Sequence, residues 1–168
     1  MSLSMYQASI PVFDRALNNL AVVLGKGAAH AKSRAIDPAV LLDMRLAPDM
    51  FPLLRNVQIV TDLVKACPAR LAGLEPPSWA DEESTFEQLD ARIHRAVDYL
   101  AEYSPQQIDG TEDRTVNLKI RGEPMTLTGQ NYLLHFVLPN VFFHATTSYA
   151  ILRHAGVELG KRDFLGPM

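Results

Sequence analysis

Cysteine, clustered basic charge and long apolar runs are scarce in this sequence, and each scarcity excludes a class of protein. Its 168 residues include one cysteine, Cys67, so neither an intramolecular disulfide nor a multi-cysteine zinc site can form. The 16 basic and 19 acidic residues give a net charge of −3 without a lysine- or arginine-rich cluster, so a nucleic-acid partner is not expected. The most apolar stretch, 132–143, is interrupted by Pro139 and by polar residues, and it is shorter than the roughly 20 residues that cross a bilayer.

The amino terminus has neither the basic segment nor the continuous apolar segment of a secretory signal. Together with the single cysteine, this predicts a cytoplasmic protein without a membrane partner. A chain of 168 residues typically buries about 70% of the surface that its unfolded form exposes, which is enough for a self-sufficient core. We therefore expect residues 1–168 to form one domain.

Apolar residues at spacings of three and four predict the first helix from about Leu3 to Leu24. Gly25 and Gly27 end that pattern. The connection that follows contains a short helical segment, which begins at Asp37-Pro38 because aspartate suits the cap position and proline the first turn.

Two further amphipathic helices follow. The second begins at Pro52 and stops at Gly73, after which two consecutive prolines force the segment 74–79 to cross the surface without helical structure. The third begins at a capping box, Ser84-Thr85-Phe86-Glu87, and its apolar stripe continues to Leu100.

The apolar period then changes from helical to alternating, which is typical of strands. Apolar positions alternate over 116–120 and resume at Met125 and Leu127 after Gly122, so we expect a two-stranded hairpin with one face against the helices. A final helix follows over 128–155. The expected fold is therefore all-α, an up-and-down four-helix bundle with a small β-hairpin inserted before the last helix.

The last helix carries a polar pair that should face the core. At 100° per residue, His144 lies about 40° from Asn140, whereas Arg153 lies on the opposite side. Because arginine is seldom buried, Asn140 and His144 should point inward. Such a pair can hold a metal ion or a small polar ligand. Alternatively, His144 is a core histidine satisfied by hydrogen bonds, and Asn140 bonds the backbone carbonyl that Pro139 leaves free.

The second helix offers two more candidates. Gln58 and Asp62 share a helical face with Arg55 and Lys65, on the side opposite the valine stripe. One interpretation is a solvated face of charge pairs at helical spacing. The other is a binding site, which requires Gln58 to turn toward His144 across the bundle.

Other reactive or apolar side chains have simpler explanations. Cys67 lies near the apolar stripe of the second helix, which favours packing over nucleophilic chemistry. Phe164 and Leu165 on the carboxy-terminal tail need cover, from their own bundle or from a second subunit. The remaining histidines are expected at surfaces, in loops or at helix ends, and are His30, His94, His135 and His154.

Four stretches together resemble a known group of helical bundles. Residues 132–157 (YLLHFVLPNVFFHATTSYAILRHAGV) resemble the last helix of the DinB-like superfamily. Residues 45–52 (RLAPDMFP), 69–73 (ARLAG) and 160–166 (GKRDFLG) are similar to signature stretches of an uncharacterised bacterial branch of that superfamily, a domain of unknown function. The resemblance implies a four-helix bundle and a homodimer formed through helix faces.

The same resemblance implies where a metal would bind. Better known members hold a divalent metal with three histidines, one on the second helix and two spaced four apart on the last, and some are thiol-dependent transferases or isomerases. In this sequence the last-helix pair falls on Asn140 and His144, and the second-helix position falls near Gln58. Only His144 keeps a ligand of the expected type, so the resemblance implies a degenerate metal site in which a divalent metal has one candidate ligand.

Three functions follow from these observations. The first is a small-molecule-binding protein whose polar pocket contains Asn140, His144, Gln58 and Asp62. The second is a metal- or thiol-dependent transferase or hydrolase that uses His144 as a ligand or general base. The third is a non-catalytic, stress-associated or interaction module in which the interior histidine packs. We expect the first.

Overall fold

The computed structural model describes residues 3–120 and 122–167. In chain order the elements are α1 (Ile10–Arg34), α2 (Pro38–Leu42), α3 (Leu53–Leu71), α4 (Phe86–Leu100), α5 (Pro105–Ile108), β1 (Thr115–Ile120), β2 (Glu123–Thr128), α6 (Gly129–Asn131), a π-helical segment (Tyr132–Val137), α7 (Leu138–His154) and α8 (Lys161–Leu165). Within the two described ranges, no helix has the length and apolarity needed to cross a membrane.

The four long helices α1, α4, α3 and α7 follow one another around a shared core. Each contributes fully buried apolar side chains, for example Phe13, Leu89, Leu53 and Val141. Consecutive helices of the chain, α1 and α3, lie diagonally across the bundle, and the connection that carries α2 joins them. The predicted all-α bundle with an inserted hairpin is confirmed.

Helix α1 begins and ends later than the predicted span 3–24. Pro11 lies in its first turn, where a residue without an N–H is tolerated. Neither Gly25 nor Gly27 ends the helix, because neither takes the left-handed backbone of a helix end. Gly27 lies against α7. A Cβ at that position would be 3.0 Å from a methyl group of Leu152. The helix ends instead at Ala35, whose backbone is left-handed with φ of 53°.

Helix starts follow the predicted capping chemistry. The Asp37 carboxylate accepts a hydrogen bond from the Ala39 N–H at 2.9 Å, which starts α2. Helix α4 is capped by Thr85, one residue later than predicted, and the reciprocal bond of a capping box is not formed, because the Gln88 side chain bonds the N–H of the residue before the cap. The hydroxyl of Thr85 accepts from the Gln88 N–H at 3.2 Å, and Oε1 of Gln88 accepts from the Ser84 N–H at 2.7 Å.

Strands β1 and β2 form the predicted antiparallel hairpin, in which Val116 pairs with Leu127 and Leu118 pairs with Met125. Val116 and Leu118 are buried against the helices. Met125 is 40% exposed, so the second strand buries less of its apolar face than its alternation predicts. This difference arises because β1 supplies the strand that packs on the bundle, while β2 lies outside it.

The last long helix is not uniform. Its π-helical segment, Tyr132–Val137, precedes α7, and Pro139 lies in the first turn of α7. The predicted phase nevertheless holds beyond the proline, because Val141 and His144 are buried and Arg153 is exposed. Single π-helical turns within longer helices frequently occur at functional sites, so this segment is a candidate part of a functional site.

The carboxy-terminal tail docks on its own chain. The Arg15 guanidinium donates two hydrogen bonds to the carbonyl of Leu165, at 2.9 and 3.1 Å, and the Asn19 amide donates to the carbonyl of Phe164 at 3.0 Å. The Phe164 ring also packs edge-on against Tyr149, with centroids 5.9 Å apart. The cover predicted for Phe164 therefore comes from α1 and α7, whereas Leu165 remains 44% exposed.

Candidate functional site

The buried histidine of α7 is held by an asparagine of α3. Nδ1 of His144 lies 2.8 Å from Oδ1 of Asn56. The Asn56 amide nitrogen donates to the carbonyls of Phe51 and Pro52, each at 2.9 Å. Since that nitrogen already donates twice, Oδ1 accepts the proton on Nδ1, and Nε2 of His144 carries the free lone pair.

The free nitrogen of His144 reaches the surface. The residue keeps 9% of its area exposed. Every fully buried polar side-chain atom in the described residues has a hydrogen-bond partner, so the unbonded Nε2 is not fully buried. Desolvation and the neighbouring Arg55 charge both disfavour the imidazolium and lower the pKa of His144. A neutral imidazole in this position can accept a hydrogen bond or a proton from a bound group.

Asn140 has a separate, structural partner. Its amide nitrogen donates to the carbonyl of Phe136 at 2.6 Å. That carbonyl belongs to the π-helical segment that precedes Pro139. Pro139 itself has no N–H with which to bond a carbonyl of the preceding turn. Of the two interpretations of Asn140, the structure therefore agrees with the one in which the side chain bonds the backbone near the proline.

Gln58 faces α4 and its preceding connection. The Gln58 amide nitrogen donates to Oε2 of Glu83 at 2.8 Å, and its oxygen accepts from the Arg55 guanidinium at 3.2 Å. Glu83 in turn receives two hydrogen bonds from Arg92, at 2.9 and 3.1 Å. These bonds lower the pKa of Glu83 despite its partial burial.

Arg92 is the centre of this network. Its guanidinium also contacts the carboxylates of Asp62 at 2.8 Å and Asp81 at 2.9 Å, and it donates to the Thr61 hydroxyl at 2.7 Å. Only 3% of the Arg92 side chain is exposed. Burial alone would lower the pKa of Arg92. The carboxylates of Glu83, Asp62 and Asp81 stabilise the charged guanidinium, and the net effect is a raised pKa.

The expectation of a solvated charged face on α3 is wrong. Gln58 and Lys65 are buried, with 2% and 6% exposure. The reason is tertiary, because the connection 74–85 lies over this face. Its Trp79 ring covers the Lys65 ammonium at 4.6 Å from the ring centroid, while the Lys65 ammonium also contacts Asp62 at 2.7 Å.

The remaining reactive residues lie away from this region or are buried. His94 is exposed and bonds the backbone of its own helix, His154 ends α7, and His30 lies on α1 instead of the predicted loop. Cys67 is fully buried, and this burial raises the pKa of its thiol far above its usual range. The packing role predicted for Cys67 agrees with this environment.

The residues at the three implied ligand positions do not fit a metal site. His144 uses Nδ1 to bond Asn56, and Asn140 bonds its own backbone. Gln58 lies on the other side of α3 from Asn56 and is engaged by Glu83. Across residues 3–120 and 122–167, no group of three histidine, cysteine, aspartate or glutamate side chains is arranged to hold a metal ion. The donor set therefore lacks the three or four ligands that a tight site uses.

A cleft opens on the outer face of α3. Its volume is about 420 Å³, and its walls come from α3, the connection after it, strand β1 and the π-helical segment. Asp62 and Arg55 lie in its wall, and Phe136 closes one side. The other three predicted residues lie behind or beside it, since Gln58 bonds Arg55, Asn140 bonds the Phe136 backbone and His144 lies near Arg55.

Comparison with known proteins assigns a family. Residues 5–165 match the family described as a domain of unknown function, DUF1993. The chain belongs to this family. No curated protein matches the sequence.

The DUF1993 chain is also similar to a solved structure, described as the crystal structure of a DinB family member protein from Shewanella denitrificans at 1.83 Å resolution. The two are 38% identical with a TM-score of 0.87, over 97% of this chain and 92% of that one. The predicted membership of a domain-of-unknown-function branch of the DinB-like superfamily is confirmed.

Sequence reasoning missed two central residues of this DUF1993 chain. Asn56 lies at the edge of the apolar stripe of α3, and Arg92 lies at the edge of the stripe of α4. A polar residue that borders an apolar stripe and becomes buried needs a hydrogen-bond partner, because an unpaired one would be costly. The sequence therefore contained a signal for both residues, but it did not show which groups Asn56 and Arg92 bond.

Proposed function

We propose that this protein binds a small molecule in the cleft on the outer face of α3. The observation that carries the proposal is the cleft itself, whose volume of about 420 Å³ suits a small ligand. Its lining combines apolar residues with five charged ones, so both an apolar body and a polar group of a ligand can find partners there. The π-helical segment forms part of that wall, which also supports a functional role.

The predicted ligand-binding residues take different parts in this proposal. Asp62 lines the cleft and can contact the ligand. Gln58 holds the Arg55 side chain, and Asn140 holds the backbone of Phe136, so both shape the wall from behind. His144 lies beside Arg55 and could serve a ligand that extends past that residue, through its accepting Nε2.

The test uses two aromatic probes of equal shape, 2-naphthamide and 2-naphthoate, titrated into isotope-labelled protein. We expect amide chemical-shift changes centred on α3, β1 and the π-helical segment with at least one probe. Ile59→Trp, which fills the cleft, should abolish them, and Val40→Trp, on the exposed side of α2, should not. Absence of shifts around the cleft with both probes, or unchanged binding in Ile59→Trp, would overturn the proposal.

The proposal also includes a homodimer through helix faces. An apolar groove of about 440 Å³ between α1, α7 and α8 supports it. Phe142 and Leu165 border this groove with 41% and 44% exposure. Exposed apolar surface of this kind is typical of protein interfaces.

A transferase or hydrolase is the second candidate. The observation that favours it is the neutral imidazole of His144, oriented by Asn56 with Nε2 free to accept a proton. It ranks second because neither His144 nor Asn140 lines the cleft or any of four other well-formed cavities, whose volumes range from about 250 to 440 Å³.

A further inference from the structure

We infer that the ligand of the α3 cleft is an anion, a small molecule that carries a carboxylate or phosphate group on an apolar body. This inference rests on the proposed function and specifies its ligand class. It derives from the charges of the cleft wall, from the partners those charges already have, and from the apolar surfaces between them.

The cleft concentrates positive charge in an acidic protein. Its lining includes four basic residues and one aspartate, whereas the whole chain has a net charge of −3. The carboxylate is that of Asp62. The basic residues are Arg55, Lys65, Arg70 and Lys119. A concave surface with excess charge of one sign raises the local concentration of ligands of the opposite sign.

Two of the four cations are already neutralised within the protein. Arg55 forms a salt bridge with Asp81, and Lys65 forms one with Asp62. These pairs fix the geometry of one side of the cleft and contribute little net attraction for an anion.

The other two cations are available to a ligand. Arg70 donates to the Tyr132 hydroxyl at 3.0 Å and lies over that ring, and it has no carboxylate partner among the described residues. Lys119 is exposed on β1 and likewise forms no salt bridge within the part of the chain that the structure describes. Lys119 follows the buried Leu118 on β1, so its side chain leaves the strand on the solvent face, at the rim of the cleft. The Arg70 guanidinium in the wall and the flexible Lys119 ammonium at the rim can bind the same carboxylate or phosphate.

The surfaces between these cations are apolar. The Phe136 ring stacks on Tyr132, with centroids 5.9 Å apart and planes 18° from parallel, and its exposed part faces the cleft. Ile59 and Leu63 of α3 form the floor, and Ile120 of β1 extends the opposite wall. An aromatic or aliphatic body would be covered here while its anionic group reaches Arg70 and Lys119.

The test compares 2-naphthoate with 2-naphthamide by isothermal titration calorimetry on the full chain. These probes share one ring system and differ in the charge of one group. We expect the carboxylate to bind about tenfold more tightly, because charge-assisted hydrogen bonds are stronger than neutral ones. Inorganic phosphate alone should compete weakly, since it lacks the apolar body.

Matched variants locate the charge. Lys119→Gln and Arg70→Gln should each reduce naphthoate affinity roughly three- to tenfold and leave naphthamide affinity unchanged. Lys161→Gln and Arg153→Gln, exposed residues outside the cleft, should change neither. Arg70 also bonds Tyr132, so Arg70→Gln can lower the stability of the fold. In that case Lys119→Gln, at an exposed strand position, decides the outcome.

The two proposals fail differently. If both probes bind in the cleft with equal affinity, or if the Lys119 and Lys161 variants behave alike, the anion inference is overturned and the small-molecule site stands. If neither probe binds in the cleft, the proposed function fails and the inference fails with it. A naphthoate preference that Lys119→Gln removes supports both.

Discussion

The Nδ1 atom of His144 donates a hydrogen bond of 2.8 Å to the side-chain oxygen of Asn56. This single contact joins α3 to α7, fixes the tautomer of the only histidine that the bundle buries among the described residues, and turns its Nε2 lone pair outward. This bond leaves Nε2 of His144 free, so the implied metal site is incomplete because of its other two positions, where Asn140 bonds the Phe136 carbonyl and Gln58 bonds Glu83.

We predict that His144 remains neutral at pH 7 and titrates with a lowered pKa. Nitrogen-detected NMR should report the Nδ1–H tautomer and a midpoint below the usual value of about 6.5. Asn56→Asp places a carboxylate against Nδ1 and should raise that pKa, because an opposite charge favours the imidazolium. A midpoint in Asn56→Asp equal to or below that of the wild type would contradict this account.

The same pKa shift predicts a loss of stability as pH falls. Below about pH 6.5 the unfolded chain binds a proton at His144, whereas the folded chain resists it. The free energy of unfolding should therefore decrease from about pH 7 until the lowered folded-state pKa is passed. His144→Gln removes this contribution, so urea unfolding of the variant should show a shallower decline. Equal slopes in the two proteins would refute the prediction.

The buried arginine of α4 should be the most sensitive charged position. Arg92→Met leaves Glu83 without its strongest partner and should lower the free energy of unfolding by about 3 kcal/mol, the order expected when one partner of a buried ion pair is removed. Arg95→Met is the control. That residue is exposed and stacks on Trp79 at 4.3 Å from the ring centroid, so its loss should cost less than about 1 kcal/mol. Comparable losses in chemical denaturation would argue against a buried network.

Cys67 should be unreactive in the folded protein. The thiol is fully buried, and burial raises its pKa, so little thiolate is present at neutral pH. We expect Ellman's reagent to leave it unmodified in native buffer and to modify it completely in guanidinium chloride. Rapid modification under native conditions would show that the region around Cys67 opens readily.

The apolar groove predicts the position of a dimer interface. Wild-type protein should sediment as a dimer, and Phe142→Glu should sediment as a monomer, because a buried unpaired carboxylate is costly. Val40→Glu introduces the same charge at an exposed residue outside the groove and should leave the dimer intact. A monomeric wild type, or a dimeric Phe142→Glu, would exclude this groove as the interface.

Local chemistry made much of the fold predictable. The Asp37 cap, the Thr85 cap and the alternation in β1 all act over a few residues, and each of these elements formed where its local signal indicated, within a residue or two. The failures occurred where distant contacts override local preference. Gly25 and Gly27 lie inside α1 although glycine favours helix ends, and Gly27 packs against Leu152 of α7, a contact that no local pattern encodes.

In the candidate site, too, local features were predictable and distant contacts were not. The helical phase placed His144 in the interior from the sequence alone, since that depends only on the rotation per residue. Its partner was not predictable, because Asn56 is 88 positions away and only the packing of α3 on α7 brings the two together. The interpretation that gave Gln58 a solvated face is wrong for the same reason, as the cover comes from a separate segment of chain.

The sequence by itself determined the helical bundle, its hairpin and the inward direction of His144, because periodicity and capping are properties of neighbouring residues. The tertiary structure alone decided which polar groups meet. It pairs His144 with Asn56, places Gln58 and Arg92 in one buried network, and brings Arg70 and Lys119 to a common cleft. Hydrogen bonds and charge pairs act over a few ångströms in space, and distance along the chain does not reveal them.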